Sequence, residues 1–175
     1  MEGLSPCYSY GSWGTDPECW PKTWKTDQLL SCNWQANGYR LPKETEWQYA
    51  ASVTSTLSPI VITAKPPTNN VWYSDDYAWH ALNSGLITHS VGTKKANKLG
   101  LYDMLGNVWE WVWDTYADSV IINWENQPQQ MVYGNKAIRG GSMSAGREKC
   151  QAEFRDFMPA ERKKKNVGFR ICRNR

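Results

Sequence analysis

The 175-residue sequence has no apolar run near the ~18 residues that a membrane-spanning helix needs. No basic-then-apolar leader follows Met1, so no signal peptide is expected. Histidine is scarce: His80 and His89 are isolated, no metal-type spacing links them, and both are expected at the surface. No C-x-x-C occurs, which argues against a zinc ribbon or a thioredoxin-like site. G-x-G-x-x-G and Walker sequences are also missing, and no βαβ order is readable, which excludes a Rossmann domain. The cysteines, Cys7, Cys19, Cys32, Cys150 and Cys172, are odd in number, so any disulfide leaves one thiol unpaired. Two of the first three could pair, or all five could be reduced and partly buried. What the sequence has in excess is tryptophan, eleven in all, and 13% aromatic residues exclude disorder. This length suits one compact domain built from short strands and long loops pinned by large rings.

The net charge of +3 hides an asymmetry, because Arg139–Arg175 holds eleven basic against four acidic residues. Such a segment either attracts a polyanion or uses its arginines to support the fold, with Lys163–Lys165 as a solvated loop. No aromatic-and-basic nucleic-acid module is recognisable.

Residues 1–38 show neither helical nor strand period and read as loop. Trp13, Trp20, Trp24 and Trp34 there need somewhere to bury. Pro42–Ala51 predicts a short helix ending near Ser52: proline and two glutamates suit its first turn, and Trp47, Ala50 and Ala51 share one face. Residues 54–70 read as loop or weak strand around Ile60–Ile62, and Trp72, Tyr73, Tyr77 and Trp79 anchor the irregular stretch that follows. Val108–Trp113 predicts a strand with Trp109, Trp111 and Trp113 on one side and Val108, Glu110 and Val112 on the other. Glu110 then sits among apolar neighbours and needs a partner, either an arginine or a hard cation. Further strands are expected at Lys136–Arg139 and at Val167–Cys172, the latter with Val167, Phe169 and Ile171 facing the core. Gly140-Gly141 marks a bulge or turn, and Ser142–Asn166 reads as loop.

Four motifs stand in order: Gly38-Tyr-Arg-Leu-Pro through Ala51, Leu99-Gly-Leu-Tyr-Asp-Met-Leu-Gly-Asn-Val-Trp-Glu-Trp111, Arg139-Gly-Gly-Ser142 and Val167-Gly-Phe-Arg170. Together they resemble the formylglycine-generating, sulfatase-modifying-factor family, over roughly residues 30–52 and 90–175. The resemblance implies an α+β, C-type-lectin-like fold with few short helices, short mostly antiparallel strands and extensive loops. The resemblance implies an opening strand and helix before a segment like Glu2–Pro6, so the N-terminal edge is expected to be truncated or completed by other means, pairing with another chain being one remedy. Lys43 stands where relatives have a threonine helix cap, which should weaken that helix end by about 1 kcal/mol.

The family's oxidases convert a sulfatase cysteine to formylglycine with two copper-binding cysteines, for thiolates suit Cu(I). The matching positions here are Ala145 and Cys150, and alanine can neither ligate nor attack, so the oxidase reading rests on Cys150 alone or on Cys172 arriving beside it. The iron-dependent relatives need a His-rich partner domain that this sequence lacks. The resemblance also implies a structural calcium on the Asp103 and Glu110 side chains and the Gly106 and Val108 carbonyls, with Arg139 or Arg170 as the alternative partner for Glu110. Another branch of the fold comprises variable proteins of diversity-generating retroelements, which display a hypervariable segment between the RGGS and GFR motifs. That branch implies a non-catalytic recognition protein, displayed extracellularly or at a cell surface, that binds a protein or other macromolecular ligand through residues 143–157. The expected contact residues are Met143, Ser144, Gly146, Arg147, Lys149, Glu153, Phe154, Asp156 and Phe157, with either phenylalanine free to pack inward instead. Adenine-directed mutation of asparagine codons cannot yield Lys, Glu, Gln or Met, so Met143, Lys149, Glu153 and Lys163–Lys165 require other template codons or an undiversified paralogue.

Overall fold

The computed structural model describes residues 3–23, 29–52, 75–116, 129–131 and 134–174. The expectations for Trp24, Ile60–Ile62, Trp72 and Tyr73 fall outside these residues.

The helix α1 runs Glu44–Ser52 and turns Trp47 and Ala51 inward, both almost fully buried. Its N-terminus is better served than Lys43 suggested. Glu46 reaches back to accept from the Lys43 amide (2.8 Å), and the Asp114 carboxylate accepts from the Glu44 amide (2.5 Å). Two amides at the helix start are thereby satisfied, although neither is the Thr45 or Glu46 amide from which a threonine side chain at 43 would accept.

The strands are β1 (Tyr8–Tyr10), β2 (Leu29–Cys32), β3 (Ala78–Trp79), β4 (Leu105–Gly106), β5 (Trp109–Thr115), β6 (Gln129–Met131), β7 (Asn135–Arg139), β8 (Arg155–Pro159) and β9 (Val167–Phe169). They form sheets in the orders β1-β2-β6, β3-β4 and β8-β7-β5-β9. In the last, β5 pairs antiparallel with β7, setting Glu110 opposite Arg139, and parallel with β9, setting Glu110 beside Gly168. The main core gathers Trp47, Met104, Trp109, Val112, Ile138 and Met158. A bulge in β5 between Trp111 and Thr115 sends Trp113 to a second cluster with Cys7, Cys32 and Ala36, where it stacks on Tyr8 (5.3 Å) and meets Trp34 edge-on.

Three expectations are corrected. The first 38 residues do contain strands, β1 and β2, held partly by a Ser9–Ser31 hydroxyl pair (2.6 Å); three or four residues are too few for an alternation to show. The stretch after Ser142 is not all loop, since β8 pairs with β7 along Asn135–Arg139. Phe169 and Ile171 do not face the core: they are 67% and 55% exposed, because Arg170 and Cys172 take the inward side.

Candidate functional site

Glu44 is the hub under the candidate surface. Its carboxylate, buried on the first turn of α1, accepts from Arg139 Nη1 (2.6 Å) and from Arg155 Nε and Nη2 (2.6 and 2.8 Å). Arg139 also donates to the Ala152 carbonyl, so one ion cluster fixes the end of β7, the start of β8 and the loop between them. A buried charge without such partners would be very costly.

Gly140 and Gly141 take φ of +90° and +78°, and a Cβ on Gly141 would lie 2.6 Å from the Cys150 sulfur. The chain beyond them divides by side. Facing inward are Ser142, Met143, Ala145, Cys150 and Ala152. Met143, expected at the contact face, is only 9% exposed; its amide donates to the Asn107 carbonyl and its own carbonyl accepts from Ser84 Oγ. Facing outward are Ser144, Glu148 and Glu153, with Arg147 and Lys149 about two-fifths exposed and Phe157 44% exposed. Gly146 is half-buried beside the Glu148 carboxylate. Phe154 is half-buried against Trp109, Lys149 lies over its ring and 3.7 Å from Asp156, and Phe157 rests on Tyr116. Asn166 donates to Ser142 and Ser144, tying the segment's far end to its start.

The sequence reading missed the loop that braces this segment. His80 is not a surface residue but 2% exposed, with Nε2 2.9 Å from Asp75 Oδ1, and the same carboxylate oxygen accepts from Arg147 Nη2 (2.6 Å). The Ala81 amide donates to the Ala145 carbonyl. His89 stacks on Trp79 at 3.7 Å. No spacing signals these contacts, which depend on two distant loops converging.

The two copper positions do not form a thiolate pair. Ala145 and Cys150 both belong to the main core, and burial pushes the Cys150 thiol up to about 11. Cys172 does not arrive beside it but sits 3.1 Å from Arg40 Nη1. Among the described residues no three His, Cys, Asp or Glu side chains cluster as metal ligands.

The carboxylates expected to hold calcium already have protein partners, Asp103 Oδ1 excepted. Both Glu110 oxygens are occupied: Arg170 binds them through Nε and Nη2 (2.6 Å each), and Trp47 Nε1 donates to Oε2 (2.6 Å). Arg170 Nη2 also donates to the carbonyls of Tyr102 and Asp103. The guanidinium thus supplies the positive charge that a hard cation would bring. Asp103 Oδ1 is buried with no partner, while Oδ2 accepts from the Gly92 amide. The set as arranged fits an arginine at Glu110 and offers a cation one free carboxylate oxygen.

Residues 18–175 match the family described as the sulfatase-modifying factor enzyme 1-like domain. The chain belongs to this family. Its α+β, C-type-lectin-like fold, with one α-helix and mostly short strands among the described residues, is the one the motifs implied. Family relatives include the Chaperone protein LppX of Paenibacillus barcinonensis, 29% identical over 99% of this chain and 63% of that protein. The formylglycine-generating enzyme of Mus musculus is 27% identical over 83% of this chain and 41% of its own length. Among solved structures, Treponema denticola variable protein 1 superposes with a TM-score of 0.72 at 30% identity, covering 98% of this chain and 63% of that one. The family outline here is therefore also that of the retroelement variable proteins. The chain spans less than two thirds of each of these proteins. No helix among the described residues is long and apolar enough to cross a membrane.

Proposed function

We propose that this chain is a non-catalytic recognition domain that displays residues 144–157 to a protein or other macromolecular ligand. The observation that carries this reading is the fate of the two copper positions. One is alanine, the other a buried thiol held protonated, and both are spent on the core. A soft metal needs thiolates, and the oxidase reaction needs two. The same segment turns Ser144, Arg147, Lys149, Glu153 and Phe157 to solvent, above a scaffold fixed by Glu44, Arg139 and Arg155. Charged and aromatic side chains on a rigid support are the composition of contact surfaces. Similarity to a variable protein and to a protein named as a chaperone supports binding over catalysis.

Titration with Cu(I), followed by thiolate-to-copper absorption, tests the reading: no stoichiometric complex is expected, and tight binding of one ion per chain would restore the oxidase alternative. Diversification of the segment is read at the gene, where a neighbouring reverse transcriptase and a near-copy of the coding end for residues 142–166 are expected.

A further inference from the structure

We propose that the outward side of residues 169–173, with the basic turn before it, is a second recognition surface that takes an extended acidic segment of another protein. The surface is separate from residues 144–157 and does not depend on their role.

From Phe169 onward the chain alternates strictly. Arg170, Cys172 and Asn174 point inward, to Glu110, Arg40 and the Trp34 carbonyl. Phe169 and Ile171 point out, and Arg173 stacks over the exposed ring of Tyr39 (5.6 Å). Phe169 ends the outermost strand of its sheet and Ile171 follows it in the stretch that runs on to the Cys172–Arg40 bridge, and two apolar side chains two residues apart in extended chain are spaced about 6.6 Å, the repeat at which another extended chain presents its own side chains.

Charge identifies the occupant. Arg139 and Arg155 are matched by Glu44, Arg147 by Asp75, Lys149 by Asp156 and Arg170 by Glu110. Arg162–Lys165 are four consecutive exposed cations, Glu161 is the sole acidic residue after Asp156, and no ion pair among the described residues involves any of the four. This turn leads directly into β9, the Lys164 carbonyl accepting from the Val167 amide. Unneutralised cations at one end of an apolar strip call for a partner with carboxylates beside apolar side chains. A single-stranded nucleic acid fits less well: of the strip's two outward apolar side chains only Phe169 offers a ring for a base, and Ile171 breaks the succession of stacking platforms that such a strand uses.

The test is fluorescence anisotropy with a labelled peptide of about twelve residues alternating Glu with Leu and Phe. Saturable, salt-sensitive binding is expected, weakened about tenfold or more by Lys163→Ser/Lys164→Ser/Lys165→Ser and by Phe169→Ser/Ile171→Ser. Both variants alter only exposed side chains and should melt within about 2 °C of the wild type. Ser144→Ala, Arg147→Ala and Glu153→Ala should leave peptide affinity unchanged. Absence of binding, binding indifferent to the strip variants, or loss in the 144–153 variants would each overturn the proposal. So would tighter binding of oligothymidine or phosphatidylserine vesicles than of the peptide.

Discussion

Glu110 is a carboxylate placed where the alternation of β5 forces it inward, and three donors from Arg170 and Trp47 hold it there. Removing one partner strands the other charge in a low-dielectric site, which costs about 3–5 kcal/mol. Arg170→Ala should therefore lower stability by that amount in urea unfolding, and Arg170→Ala with Glu110→Gln should recover part of the loss; an unchanged midpoint for the single variant would refute this account. That Glu110 needed a partner was legible from one strand's alternation. The partner was narrowed to a cation or to Arg139 or Arg170, and the structure selects Arg170, which lies sixty positions away and is brought near by the β5–β9 pairing. His80 shows the opposite failure: a lone histidine carries no sign that Asp75 and Arg147 will enclose it.

Among the elements, α1, β5, β7 and the start of β9 were readable because each either carries a helical start signal or alternates around large apolar residues. β8 was not, since Arg155, Asp156 and Phe157 all keep some exposure and Met158 alone is buried in it. β4 escaped notice for another reason: it is two residues long and parallel to β3, and it exists because Gly106, at φ +74°, lets the Trp79 backbone approach where a Cβ would stand 2.2 Å from its carbonyl oxygen. Gly106→Ala must push these strands apart and adopt a left-handed conformation as well. A loss of at least about 2 kcal/mol is expected in the same unfolding assay, and a neutral result would show that the β3–β4 contact is dispensable.

For the molecule as a whole, the eleven basic residues after Ile138 separate into two populations. Arg139, Arg155 and Arg170 are internal struts, which is the supportive role the composition allowed, whereas the cations at 162–165 have no such employment among the described residues. With arginine supplying the charge at Glu110, protein stripped with a chelator is expected to melt at the temperature of untreated protein in calorimetry. A drop that calcium reverses would assign the ion to Asp103 Oδ1 and its neighbours.

The parallel pairing of β9 with β5 has a consequence for biosynthesis. Until the ribosome has delivered Arg170, the nascent chain holds a carboxylate on its central strand with no counter-ion and leaves one flank of that strand unpaired. A polypeptide ended by a stop codon anywhere between Ser142 and Asn166 lacks both Arg170 and β9, and is expected to be cleared by proteases rather than to persist as a shortened folded one. The order of translation would thus screen that stretch for interruptions: a reading frame kept open to Arg170 is the one expected to produce a lasting molecule.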